Sequence, residues 1–265
     1  MKKTNLFFLF LTAFSTLHLP GAWAQPAEYF FGKRHSLEIG ANLFFSPAAE
    51  TTNLSTVPEG ASVESRAFPG LGLSLYYRFA FHPRWWVEAG GGGGVYSFAW
   101  RVSASAELLG KSRGLESTTL VFNDGAHAFG RLGVFRSFPI GQEGLLAVGA
   151  GGQAVYFAEG FSSSGIGVPG DIPAPTPVRD LDFIVNADYG ADAGVDLFPA
   201  AFLSVNYQHR IYPWLAASIA MDGVYASDYP AKGDYLLKGN GQGLIGAFEK
   251  RYAHVGLRVG FAVNL

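Results

Sequence analysis

From His254 to Leu265 the chain alternates strictly between apolar and polar or small residues. Val255, Leu257, Val259, Phe261, Val263 and Leu265 fall on one face; His254, Gly256, Arg258, Gly260, Ala262 and Asn264 fall on the other. A period of two marks a strand with one apolar side. Arg and Asn among small residues on the second side fit a barrel wall standing between lipid and a polar interior. The same period recurs upstream. Leu37, Ile39, Ala41, Leu43 and Phe45 oppose Glu38, Gly40 and Asn42, and Leu71, Leu73, Leu75, Tyr77 and Phe79 oppose Gly72, Ser74, Tyr76 and Arg78.

Segments of this kind predict about eight strands, a number small barrels favour. They lie near 34–46, 67–81, 85–100, 120–138, 145–157, 183–211, 214–226 and 246–265. Short turns such as His82-Pro83-Arg84 alternate with long polar stretches, 46–66, 101–118, 158–182 and 227–244. That asymmetry suits an outer-membrane barrel with short periplasmic turns and longer outer loops, and it makes those four stretches the candidates for surface contact. The sixth segment is too long for one plain strand, and Pro199 interrupts it. Proline cannot donate to a ladder and marks an edge or a bulge, so 183–197 is expected as an extension above the membrane or an extra strand. The predicted fold is all-β, a single antiparallel up-and-down transmembrane β-barrel of about eight strands, with ten possible.

Composition sharpens this. Gly (35) and Phe (23) are abundant and only 15% of residues are charged, yet no apolar run past the N-terminus is long enough for a membrane helix. Lys2 and Lys3, the apolar stretch Asn5–Leu17 and the small-residue site Ala22-Trp23-Ala24 read as a cleaved secretory signal over residues 1–24. Residues 25–265 are then the barrel. The net charge of -2 offers no basic field for nucleic acid, and the absence of Cys removes disulfides, thiol catalysis and cysteine metal sites. Aromatic residues group at both strand ends: Phe81, Trp85, Trp86, Phe138, Tyr212 and Trp214 near the short turns, Phe98, Trp100, Tyr156, Phe157, Tyr225 and Tyr229 opposite. They are expected as the two girdles of an apolar belt.

The inward face should receive Glu38, Arg78, Glu88, Arg131, Gln153, Arg210, Asp222 and Arg258. Mixed charges in a narrow interior should pair, forming a plug; a charged pore or a catalytic cluster is the alternative. Closure makes the first and last strands neighbours, so Glu38 and Arg258 are expected to meet. Asp188, Asp192 and Asp196 share a face if 183–197 is one strand, but at that spacing they cannot share one cation. Gly90–Gly94 lacks the strand–loop–helix setting of a phosphate cradle and suggests close backbone approach instead. The histidines form no local metal motif, and His127 is the best of poor candidates for a barrel enzyme's rim. No catalytic, metal or cofactor site is predicted.

The signal segment, the aromatic-flanked turns and the ending Arg258-Val259-Gly260-Phe261-Ala262-Val263-Asn264-Leu265 resemble small outer-membrane barrels of the OmpA/OmpX type. Such barrels usually end in an aromatic residue, whereas this chain ends in Leu265. The resemblance implies insertion in the outer membrane of a Gram-negative-type bacterium, with membrane lipid and the barrel-assembly machinery as partners. It implies no particular activity. A non-enzymatic barrel, structural or anchoring surface loops that bind a ligand, is the leading expectation. A narrow pore, a barrel enzyme acting on lipid or peptide, and a soluble secreted barrel are the alternatives.

Overall fold

Along the first strand burial alternates residue by residue, with Ser36, Glu38, Gly40, Asn42 and Phe44 covered and Leu37, Ile39, Ala41 and Phe45 uncovered. This inverts a soluble protein: the polar side faces in, and large apolar side chains such as Leu73 (66%) and Phe261 (55%) are bare. So broad an apolar exterior needs lipid around it. The computed structural model describes residues 30–53, 61–104, 117–168, 181–239 and 242–265. The expected signal segment, 1–24, lies outside the described residues. No helix among the described residues is long and apolar enough to cross a membrane.

In chain order the strands are β1 (His35–Phe45), β2 (Glu50–Asn53), β3 (Ala61–Ala67), β4 (Pro69–His82), β5 (Trp85–Ala104), β6 (Ser117–Ile140) and β7 (Gly144–Phe157). β8 (Gly160–Val168), β9 (Leu181–Tyr189), β10 (Leu197–Tyr212), β11 (Leu215–Tyr225), β12 (Ala231–Gly239), β13 (Gln242–Lys250) and β14 (Ala253–Asn264) follow. β1, β4, β5, β6, β7, β10, β11 and β14 pair antiparallel in that order, and β14 returns to β1 with Gly260 opposite Gly40. The barrel is therefore closed, up-and-down and eight-stranded. Closure removes the sheet edges that lipid could not satisfy.

The central glycines of β5 allow the wall to curve tightly. A Cβ at Gly90 or Gly92 would collide with the carbonyl oxygen of Leu75 or Leu73 on β4. These glycines lie within a continuous paired strand, at a close backbone approach.

β5 and β6 run for 20 and 24 residues. At about 3.3 Å per residue they outreach an apolar belt of roughly 25 Å even when tilted. Their upper halves, with β3 paired alongside β5, rise beyond the barrel. Facing them is a second, five-stranded sheet, in the order β2-β13-β12-β9-β8. This corrects the expectation of loops over 46–66, 158–182 and 227–244, which contain β2, β3, β8 and β12; parts of these stretches, and most of 101–118, lie outside the described residues. The long sixth segment is two strands, β9 in the second sheet and β10 in the barrel wall. The break falls at the turn before Leu197, where Gly190 and Gly194 adopt positive φ, and not at Pro199. Pro199 lies inside β10, beyond its last pair with β11, where one flank is free and a missing N–H is tolerated. Likewise 246–265 divides at Arg251-Tyr252, between β13 and β14. Asp192 and Asp196 sit in or beside the turn and Asp188 on β9, so the three do not share one strand face.

The aromatic girdles are thinner than expected. Phe81, Trp85, Phe138, Tyr212 and Trp214 face outward near the short turns, as Tyr156 and Tyr225 do opposite. Trp86, Phe98, Trp100 and Phe157 are buried instead. Adjacent residues on a strand point to opposite faces, so Trp85 and Trp86 could not both meet lipid.

Candidate functional site

The lumen is filled in layers. At the short-turn end Phe30 is fully buried, its ring 4.9 Å from that of Trp86, which stacks on Phe135 at 5.6 Å. Above them six charged side chains from six barrel strands form a closed cycle of alternating sign. Arg78 Nη1 lies 2.6 Å from Glu38 Oε2, and Arg78 Nε donates to Glu88 Oε2 at 2.8 Å. Arg131 Nε donates to Glu88 Oε1 at 2.8 Å, and Arg131 Nη1 lies 3.2 Å from Asp222 Oδ1. Arg258 completes the cycle, with Nη1 3.5 Å from Asp222 Oδ2 and Nε 2.9 Å from Glu38 Oε1. Three acids meet three bases, so the ring is neutral. Glu88 accepts the two aligned hydrogen bonds and is its hub.

Strand pairing explains the reach. Arg78 stands opposite Glu88, whereas Arg258 stands opposite Asn42 and crosses diagonally to Glu38. The ring lies on an aromatic platform: the guanidinium carbons of Arg131 and Arg258 are 4.6 and 4.3 Å from the centre of the Tyr76 ring, and Arg131 is 4.1 Å from that of Phe202. Tyr76 was not among the expected site residues, although its place between Ser74 and Arg78 on the inward face of β4 signals it.

Arg210 is the expected member that does not join. It shares the inward face of β10, but Asp222 is registered with Ser204. Arg210 is therefore about 20 Å further down the strand, at roughly 3.3 Å per residue. There its guanidinium lies over Phe31, 5.6 Å from the ring centre. Gln153 does face the lumen. With Asn42, Tyr76, Arg131, Asp222 and His254 it borders a cavity above the ring that has room for about one water molecule.

His127 is buried inside the barrel rather than set on a rim. It lies in an aromatic box with Phe44 (5.3 Å), Phe157 (5.6 Å) and Tyr252 (5.7 Å), next to His254, which packs on the same Phe44 at 5.0 Å. Among the described residues no group of three or more His, Asp or Glu side chains could hold a metal ion.

Above the box the second sheet closes the mouth. Phe98 and Trp100 of β5 pack against Phe248 (5.5 and 5.1 Å), and Trp100 also meets Tyr235 (5.2 Å) and Phe183 (6.1 Å). Lys250 ends β13 fully buried in this seam, its Nζ 5.5 Å from the Tyr96 ring centre and 5.6 Å from that of Phe98. Nζ finds no acceptor among the described residues, and burial pulls the amine down to about 7. Outside the seam, Arg251 donates to Tyr225 Oη at 2.6 Å and lies 3.7 Å from Glu50 of β2. It ties the cap to the barrel wall.

No family model matches the chain, and no curated protein does. Solved structures do resemble it. OprG from Pseudomonas aeruginosa, an outer membrane protein, is 11% identical with a TM-score of 0.43, the match covering 88% of this chain and 97% of that one. A major outer membrane protein from Thermus thermophilus is 12% identical with a TM-score of 0.40, covering 87% and 99%. Ail, the attachment invasion locus protein of Yersinia pestis, in complex with the heparin analogue sucrose octasulfate, is 11% identical with a TM-score of 0.36, covering 87% and 98%.

Proposed function

We propose that the protein is a non-conducting outer-membrane anchor that holds a folded β-sheet cap at the membrane surface for contact with a ligand or partner. The observation that carries this reading is the sealed lumen. A neutral ion ring spans the interior, an aromatic layer closes it below, and an aromatic box and the second sheet close it above. Ions would have to break several buried pairs to pass, at a cost of several kcal/mol each. The cap is built from segments that emerge at the long-loop end, the side that faces outward in barrels of this architecture. Recognition would fall to the exposed face of that sheet, since extensions held on a rigid scaffold carry contacts. Delivery by the barrel-assembly machinery, through β14, belongs to the same reading.

Planar-bilayer recording tests it. The purified protein is expected to show no steady unitary current. Regular single-channel steps would instead establish a narrow pore and remove the anchor reading.

A further inference from the structure

One charge stands on the wrong side of the wall. The outward face of β6 runs Leu132, Val134, Arg136, Phe138, Ile140 towards the short-turn end. Arg136 interrupts an otherwise apolar column, and its paired neighbours are Trp85 on β5 and Val148 on β7. Its guanidinium carbon lies 5.3 Å from the centre of the Phe138 ring and 5.8 Å from that of Trp85. The side chain is exposed and forms no ion pair among the described residues. The inward cations of the ring, by contrast, all face carboxylates.

An unpaired cation on a lipid-facing strand is costly unless it reaches the interface or finds an anion. Arg136 is level with Trp85, the first residue after the His82–Arg84 turn, and so lies in the aromatic girdle. That is the depth of the headgroups. The planar fork of a guanidinium matches two phosphate oxygens at once, while its flat faces rest on aromatic rings. Among the described residues no acid of the nearby turns pairs with Arg136. Residues 82–84, 141–143 and 213–214 contain one carboxylate, Glu143, which lies 3.9 Å from His209 Nε2. The turn before Trp85 adds a further cation, Arg84.

We propose that Arg136, seated between Trp85 and Phe138, binds the phosphate of an anionic phospholipid in the leaflet at the short-turn end. The aromatic rings flank the glycerol region, and the guanidinium donates to the phosphate oxygens. This rests on the membrane-anchor reading and adds a headgroup site to it.

The test has two arms. In the first, the wild-type protein is refolded with phosphatidylcholine vesicles and floated on a density gradient; failure to co-float would overturn the membrane reading itself. In the second, wild type and Arg136→Gln in detergent micelles are titrated with dioleoyl phosphatidylglycerol or dioleoyl phosphatidylcholine, and bound lipid is counted by native mass spectrometry. The wild type is expected to bind one phosphatidylglycerol about tenfold more tightly than Arg136→Gln, with a smaller loss for phosphatidylcholine, whose cationic choline offsets the phosphate charge. Arg136→Lys keeps the charge without the fork and should fall between them. Trp85→Leu, which leaves every charge in place, should weaken phosphatidylglycerol about threefold, so the site stays testable if Arg136→Gln fails to fold. Equal phosphatidylglycerol affinity across these variants, in a wild type that floats, would overturn the site and leave the anchor reading intact.

Discussion

Replacing Glu88 by Gln is expected to lower the unfolding free energy by about 4 kcal/mol. Glu88 accepts from both Arg78 and Arg131, and its side chain is fully buried. Gln keeps the shape but removes the charge. Two guanidinium groups then remain in the interior with one carboxylate fewer, and an uncompensated buried charge costs more than the lost bonds alone. The measurement is urea-induced unfolding in vesicles, followed by tryptophan fluorescence. Pairing Glu88→Gln with Arg131→Met restores neutrality, and the double variant should lose less than the sum of the two single changes. A loss under about 1 kcal/mol for Glu88→Gln would mean that water, not the ring, satisfies these charges.

Lys250→Met is expected to stabilise the cap, by on the order of 4 kcal/mol below pH 7. The sign follows from burial. The amine is held near 7 in the folded protein, against about 10.4 in an unfolded chain. Between those values the unfolded chain holds a proton that the folded one lacks, so wild-type stability rises with pH across that window. Below pH 7 both states are protonated and the full penalty of a buried ammonium is present; above about pH 10.4 it is gone. Trp100 lies in the same seam and reports on it. Acrylamide should quench Trp100 more strongly at pH 5.5 than at pH 9 in the wild type, and equally at both in Lys250→Met. An unchanged pH dependence in the variant would assign the effect to another group.

The barrel was legible because lipid outside and charge inside impose opposite demands on neighbouring residues. Leu37 and Glu38, or Leu257 and Arg258, could not be exchanged without placing a charge in the membrane. That constraint also assigns seven charged side chains to the interior, Arg210 among them. It says nothing of depth, which is why Arg210 shares the face of Asn206 and Gln208 yet sits far below the ring. The second sheet was hidden for the complementary reason. β12, Ala231–Gly239, belongs to the second sheet and not to the barrel wall, and its Tyr235 packs on Trp100 of β5. Its segment, rich in Gly, Lys and Asp, reads as a loop until Trp100 and Phe248 are known to stand opposite. The aromatic residues misled in the same way. Phe98 and Trp100 lie beyond the apolar belt, and only β5's length and the sheet above it turn them into a core.

The seam between β1 and β14 has a kinetic corollary. The acid of Glu38 on β1 is made long before its partner Arg258 on β14, with the other six barrel strands between them. Contacts so distant in sequence give the domain a high contact order, and the entropy of joining the two ends must be overcome before the rewards of closure appear. Assembly should be slow and late-committing. A barrel lacking β14 would leave Glu38 and Asp222 without Arg258, so removing β14 should stall the whole molecule, not shorten it by one strand.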